Sequence, residues 1–176
     1  NNYLPVRIPL YKGVLGCRIL IVHKDNQHLV KGVTTMEDVL ARTYGQGHGW
    51  SDTAIMRANG LEVVSTPKYQ GLFHMVDGKR FDAFPRGVHE PWGEVAKRPE
   101  LDLVIDQNIM LVYQMPFYLF VSNHRPELAE VITHGFELAI ADGSFDALFF
   151  NDPTVKMVLQ KANVSKRQIF TLKNPD

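Results

Sequence analysis

Between residues 33 and 84, helical and extended signals alternate along the chain with short links, and this alternation limits the fold more than any other feature. Thr34 or Thr35 can cap a helix that carries Met36, Val39 and Leu40 at helical spacing. Glu37 and Asp38 fall in its first turn, where the helix dipole favours acids. This helix is expected to stop near Tyr44. The next opens at Ser51 or Asp52, carries Ile55 and Met56, and ends at Asn59-Gly60, a helix-stop pair. Residues 61–65 read as a strand, 69–76 as a helix with Leu72, Phe73 and Val76 on one side, and 81–84 as a short strand. Strands separated by helices predict an α/β layer around a mostly parallel sheet.

Before this block, residues 18–23 (R-I-L-I-V-H) read as a buried strand. After it, 104–109 and 111–113 are extended and 118–122 is a strand. An amphipathic helix follows over 126–141, with Leu128, Val131, Ile132, Phe136, Leu138 and Ala139 as its apolar side and Pro126 near its start. Asp142-Gly143 ends it. A helical turn or two at 145–150, a helix over 154–162 opened by Asp152-Pro153, and a strand at 168–172 complete the chain. With 176 residues, 45% hydrophobic, the chain can form one large domain or two small lobes. Acidic and basic residues balance at 19 each, which argues against a nucleic-acid binder, since such domains carry a basic excess. The single cysteine, Cys17, excludes an internal disulfide and reads as a small buried hydrophobe. The opening N-N-Y-L-P has no signal-peptide pattern, and the most apolar run, 109–121, is broken by Gln114 and Pro116.

The chemistry concentrates at R-T-Y-G-Q-G-H-G-W-S-D-T (42–53), read as a glycine-rich turn feeding a helix, and at a bend carrying Arg86. Free backbone N–H groups and a helix N-terminus suit an anion or a carboxylate. G-Q-G-H-G itself is either a tight turn or a ligand-lining one; it fits neither a dinucleotide fingerprint nor a P-loop. Trp50, at the turn apex, either stacks on a ligand or plugs an edge, and Trp92 reads as packing. Asp52 reads as an N-cap and Asp82 as a carboxylate bonded to nearby backbone. Arg18, amid hydrophobes, must meet a partner. The seven histidines lack metal-ligand spacing; His48 could touch a ligand and His134 reads as surface. Ser51 has no evident base. No catalytic set, no metal site and no cofactor motif is visible.

Three segments in this order resemble the two-lobed solute-binding proteins of ABC importers. R-I-P-L-Y-K-G-V-L-G-C-R-I-L-I-V-H-K-D (7–25) is similar to that family's crossover segment between lobes. Residues 33–84, from V-T-T-M-E-D-V-L to M-V-D-G-K-R-F-D-A-F, resemble its second lobe. L-A-E-V-I-T-H-G-F-E-L-A-I-A-D-G-S-F-D-A-L-F (128–149) looks like its closing helix and turn. The resemblance implies an α/β, type II periplasmic-binding-protein-like fold, with two α/β lobes joined by crossover strands. Residues 23–112 would form the second lobe, and 1–22 with 113–176 an incomplete first lobe that lacks the family's leading βαβ units. It also implies a ligand held at Gly49, Trp50, Ser51 and Thr53. The family often has an acid after Asp82-Ala83 for a ligand ammonium; here Arg86 stands instead, and would attract an anion. Glu90 either restores a negative partner or pairs with Arg86.

The reading is therefore non-enzymatic binding of a small polar, anionic or carboxylate-bearing solute in an interlobe cleft, with Arg18, Arg86 and Glu90 added to the site. Such a protein would be periplasmic, partner a membrane permease, and bind no nucleic acid. The alternatives are an extracytoplasmic ligand-sensing domain of a signalling receptor and an enzyme on the same fold.

Overall fold

The computed structural model of the chain describes residues 2–175. In chain order come β1 (Tyr3–Val6), β2 (Cys17–His23), α1 (Gln27–Val30), α2 (Met36–Leu40), β3 (Thr43–Gly47) and α3 (Ser51–Ala58). Then follow β4 (Glu62–Thr66), α4 (Tyr69–Asp77), β5 (Ala83–Gly87), α5 (Pro91–Ala96), β6 (Leu103–Ile105) and β7 (Ile109–Val112). The chain closes with β8 (Leu119–Ser122), α6 (Pro126–Ala141), α7 (Ser144–Asn151), α8 (Pro153–Lys161) and β9 (Gln168–Thr171). Among these residues no helix is long and apolar enough to cross a membrane.

A seven-stranded sheet runs β4-β3-β5-β2-β7-β9, with β6 pairing the other half of β2 beside β7. β3 is parallel to β4 and β5, β7 is parallel to β9, and β2 is antiparallel to β5, β6 and β7. All strands therefore share one direction except β2, which is inserted against them, and the expected mostly parallel sheet is present. The α5 crossover explains the insertion: it returns the chain from β5 to β6 in the same direction, and β2 lies between. β2 is buried along nearly its whole length. Alternation sends Leu20 and Val22 to one face, with Ile55 and Met56 of α3. Ile19 and Ile21 go to the other, against Val158 of α8 and against Leu72 and Phe73 of α4. A strand covered on both faces runs apolar at successive positions, which is why I-L-I-V (19–22) has no alternation.

Local signals explain most boundaries. Thr35 and Asp38 form a reciprocal capping box at the start of α2. Asp152 accepts from the backbone of Thr154 and Val155 at the start of α8. Buried Arg167 ties β9 down by donating to the Ile109 carbonyl at 2.9 Å, beside the Asp106 carboxylate at 3.7 Å.

Three expectations are corrected. α2 ends at Leu40, and the G-Q-G stretch of the presumed turn belongs to strand β3; after it only residues 48 and 49 turn. The glycines serve close approach: a Cβ on Gly45 would sit 2.0 Å from Phe81 Cζ, and one on Gly47 2.1 Å from Trp50 Cε2. The strand expected at 81–84 is β5, at Ala83–Gly87, so Arg86 lies in a strand and not in a bend. Pro85 is tolerated there because β3–β5 pairing is confined to Ala83, ahead of the residue that has no N–H to give. Finally, α6 buries no residue, and Val131 and Leu138 of its expected apolar side are 68% and 56% exposed. Among the described residues it packs on β1, β8 and α7. The two-stranded β1–β8 sheet is too narrow to cover a 16-residue helix. Strands β2 and β9 are hydrogen-bonded into the larger sheet, which thus draws on 17–23 and 168–171 as well as on 43–112.

Candidate functional site

Gly47 ends β3, Gly87 ends β5, and Arg18 near the start of β2 lies opposite Gly87. At this end of the sheet, outside the carboxyl ends of the parallel strands, ligand crevices form in open α/β folds. A cavity of about 250 Å³ opens there, lined by Leu15, Arg18, Trp50, Asp52, Arg86, His89 and Glu90. Because Arg18 pairs with Gly87 and Arg86 with Ile19, the two arginines leave opposite faces of the sheet and reach the cavity round its end.

On the α3 face, Arg18 Nε donates to Asp52 Oδ1 at 2.6 Å, and Nη2 donates to Met115 Sδ at 3.0 Å. Nη1 donates to the Leu15 carbonyl, and the Tyr113 hydroxyl donates to the same Asp52 oxygen. The Arg18 guanidinium lies 5.2 Å from the Tyr113 ring centre. All three side chains belong to buried residues, at 5%, 8% and 3% exposure. Burial pushes the Asp52 carboxyl up, but the hydrogen bond and charge of Arg18 and the Tyr113 hydroxyl outweigh it and hold the pKa below the usual carboxylate range. Burial, joined by the Asp52 charge, pushes the Tyr113 phenol well up, so it stays a donor.

On the α4 face, Arg86 Nε meets Glu94 Oε2 at 2.9 Å, and Nη2 meets both Glu94 Oε1 and Glu90 Oε1 at 2.6 Å. The Gly87 backbone N–H donates to Glu90 Oε2 at 2.6 Å, and the Tyr69 hydroxyl to Glu94 Oε1 at 2.5 Å. Burial and the bond to Glu94 raise the Tyr69 phenol to about 12. The guanidinium sits 5.3 Å from Trp50, 5.4 Å from Tyr69 and 5.1 Å from Phe84, measured to ring centres. Its charge is held by carboxylates on one side and aromatic faces on the others.

The structure brings Arg18, Trp50, Arg86 and Glu90 together around one cavity. Gly49, Ser51 and Thr53 are not among its walls. Gly49 takes φ +78° to turn the chain into α3, Ser51 is the exposed first residue of that helix, and buried Thr53 donates to the Gly47 carbonyl at 2.8 Å. Glu90 pairs with Arg86, one of the two alternatives left open. Asp52 is not the N-cap, a position that Trp50 holds; it turns inward to Arg18. Asp82 accepts from the Thr43 backbone at 2.8 Å, as expected. Sequence reasoning missed His89, Glu94 and the role of Asp52. The demand of Arg18 for a partner was the available signal for Asp52, and the i,i+4 spacing of Glu90, just before α5, and Glu94, in its first turn, was the signal for a shared cation. Among the described residues no group of three or more His, Cys, Asp or Glu is arranged to hold a metal.

Solved structures share this architecture. An amino-acid ABC transporter substrate-binding protein, AbpA from Streptococcus pneumoniae bound to L-arginine, matches 90% of this chain and 63% of its own at 18% identity, with a TM-score of 0.57. The fold is that of the two-lobed type II periplasmic binding proteins. The GluR0 ligand-binding core from Nostoc punctiforme, in complex with L-glutamate, matches 86% of this chain and 66% of its own at 14% identity and a TM-score of 0.53. An ancestral arginine-binding protein bound to arginine matches 76% of this chain at 20% identity and a TM-score of 0.50. The chain spans 58% and 63% of the length of the arginine-bound structures. These structural neighbours are binding proteins. No protein-family model matches the sequence, and no curated protein matches it.

Proposed function

We propose that this chain is a non-enzymatic binding unit for a small, amino-acid-like zwitterion. In this reading the seven-stranded unit around 23–112 is the second lobe, and segments within 1–22 and 113–176 belong to the first. The solute lies against the cavity at the sheet end. The observation that carries the reading is the meeting of two guanidinium–carboxylate groups, one from each sheet face, beside the ring of Trp50 in a space of about 250 Å³. That space is too small for a drug-sized ligand.

The charge balance favours a zwitterion over a pure anion. Arg18 and Arg86 face Asp52 and Glu90 in the lining, with Glu94 behind Arg86. A pure anion would find both cations engaged and would be pressed against carboxylates. A zwitterion can place its carboxylate on a guanidinium and its ammonium on Glu90. Every lining carboxylate is gripped by a guanidinium, an arrangement that holds a solute and transfers no proton. By analogy with its neighbours' setting, the protein works outside the cytoplasmic membrane and hands the solute to an ABC permease, with solute contacts from both lobes favouring closure.

A thermal-shift screen against L-amino acids, dicarboxylates and phosphorylated metabolites tests this. A ligand at a hundred times its Kd stabilises the folded state by about 2.7 kcal/mol. Amino acids are expected to raise the melting temperature. Hits confined to dicarboxylates or phosphates would reverse the charge argument, and no hit in any class would remove the binding function.

A further inference from the structure

We infer that the polar cavity is the head compartment of a larger site, and that the solute is amphipathic, with an unbranched apolar tail running past His89 into a second cavity. The inference rests on the zwitterion reading above and extends it to a substrate class. The second cavity has a volume of about 730 Å³, and Tyr11, Val14, Phe149, Val155 and Val158 are among its walls.

Two features join the cavities. His89 borders both, its ring stacked on Tyr11 at 6.4 Å between centres and 15° between planes. The 3₁₀ turn at Val14–Gly16 gives Val14 to the apolar cavity and the next residue, Leu15, to the polar one. Neighbouring residues of one short turn therefore line different compartments.

The charged and amide side chains around the apolar cavity are partly engaged within the fold. Asp152 caps α8 through Oδ1, which accepts from Thr154 and Val155 at 2.8 and 3.0 Å. The side-chain oxygen of Asn151 accepts from Lys156 at 3.0 Å. Lys12, against the Phe145 ring 4.5 Å away, pairs with Asp146. Most of the remaining wall is apolar surface beside a charged chamber, which matches the shape of a charged head on a hydrocarbon chain.

Calorimetric titration of the 176-residue chain with L-alanine, L-norvaline, L-norleucine, L-2-aminooctanoic acid and L-2-aminodecanoic acid tests the inference. Affinity is expected to rise about fourfold per added methylene, the factor that about 0.8 kcal/mol per buried CH₂ gives. Val155→Trp, which fills the apolar cavity from a half-buried position, is expected to flatten that rise. Leu159→Trp at the exposed rim does the same job should Val155→Trp fail to fold. A flat series in the unmodified chain with L-alanine still bound would overturn the tail compartment and leave the zwitterion reading standing. A rise that survives both filled variants would overturn it as well, since the tail would lie elsewhere. Absence of binding across the series would overturn both readings.

Discussion

Replacing Asp52 with alanine is expected to remove about 3–5 kcal/mol of folding stability, because it strips the carboxylate from a buried guanidinium and leaves that charge without its partner. Arg18 and Asp52 are 5% and 8% exposed, so water compensates little. Tyr113 loses the acceptor of its hydroxyl in the same step. Urea denaturation reads the loss directly, and a midpoint within experimental scatter of the unmodified protein would show that the ion pair contributes nothing. The pair also carries a pH signature. The folded-state pKa of Asp52 is lowered relative to an unfolded value near 3.9. Its contribution is therefore complete above the unfolded value and is lost as pH falls through the folded one. Between about pH 5 and pH 2 the urea midpoint should fall less steeply in Asp52→Asn than in the unmodified protein.

The second large effect belongs to the other face. Arg86→Leu leaves Glu90 and Glu94 close together without a cation, and about 3 kcal/mol of destabilisation is expected. The Glu94 side chain is only 13% exposed, so most of that penalty arises there, while Glu90 at 31% is relieved by solvent. Adding Glu94→Gln to Arg86→Leu should recover part of the loss, and the double-mutant cycle should give a coupling of about 1–3 kcal/mol. Strict additivity of the two substitutions would mean that Arg86 is held by Glu90 and its aromatic neighbours and not by Glu94.

The elements were legible where local chemistry is decisive. Thr35 with Asp38 marks the start of α2, Asn59-Gly60 the end of α3, and Pro126 the start of α6, because caps and stops act within a turn of the residues that encode them. The unbroken apolar run of β2 announced a strand buried on both faces. β5 was misplaced because Pro85 and Arg86 do not read as strand residues. They are accommodated by pairing that stops at Ala83 and by carboxylates eight or fewer residues later, and neither compensation is local to the strand. The site was half legible. Trp50, Arg18, Arg86 and Glu90 stood out as residues whose chemistry asks for a partner. Asp52 did not, since an acid in the first turn of a helix already has a sufficient reason to be there, and only the tertiary approach of β2 turns it inward. The direction of α6 was clear from its period, but periodicity names an apolar side without saying how much surface covers it.

In the proposed binding mode the solute lies against Trp50 at the end of the seven-stranded sheet. The chain has two tryptophans, so Trp92→Phe leaves Trp50 as the sole indole reporter. Titrating that variant with an amino acid that raises its melting temperature should change Trp50 emission saturably, with a midpoint equal to the calorimetric Kd. Calorimetric binding with Trp50 emission unmoved would put the solute elsewhere and overturn this binding mode.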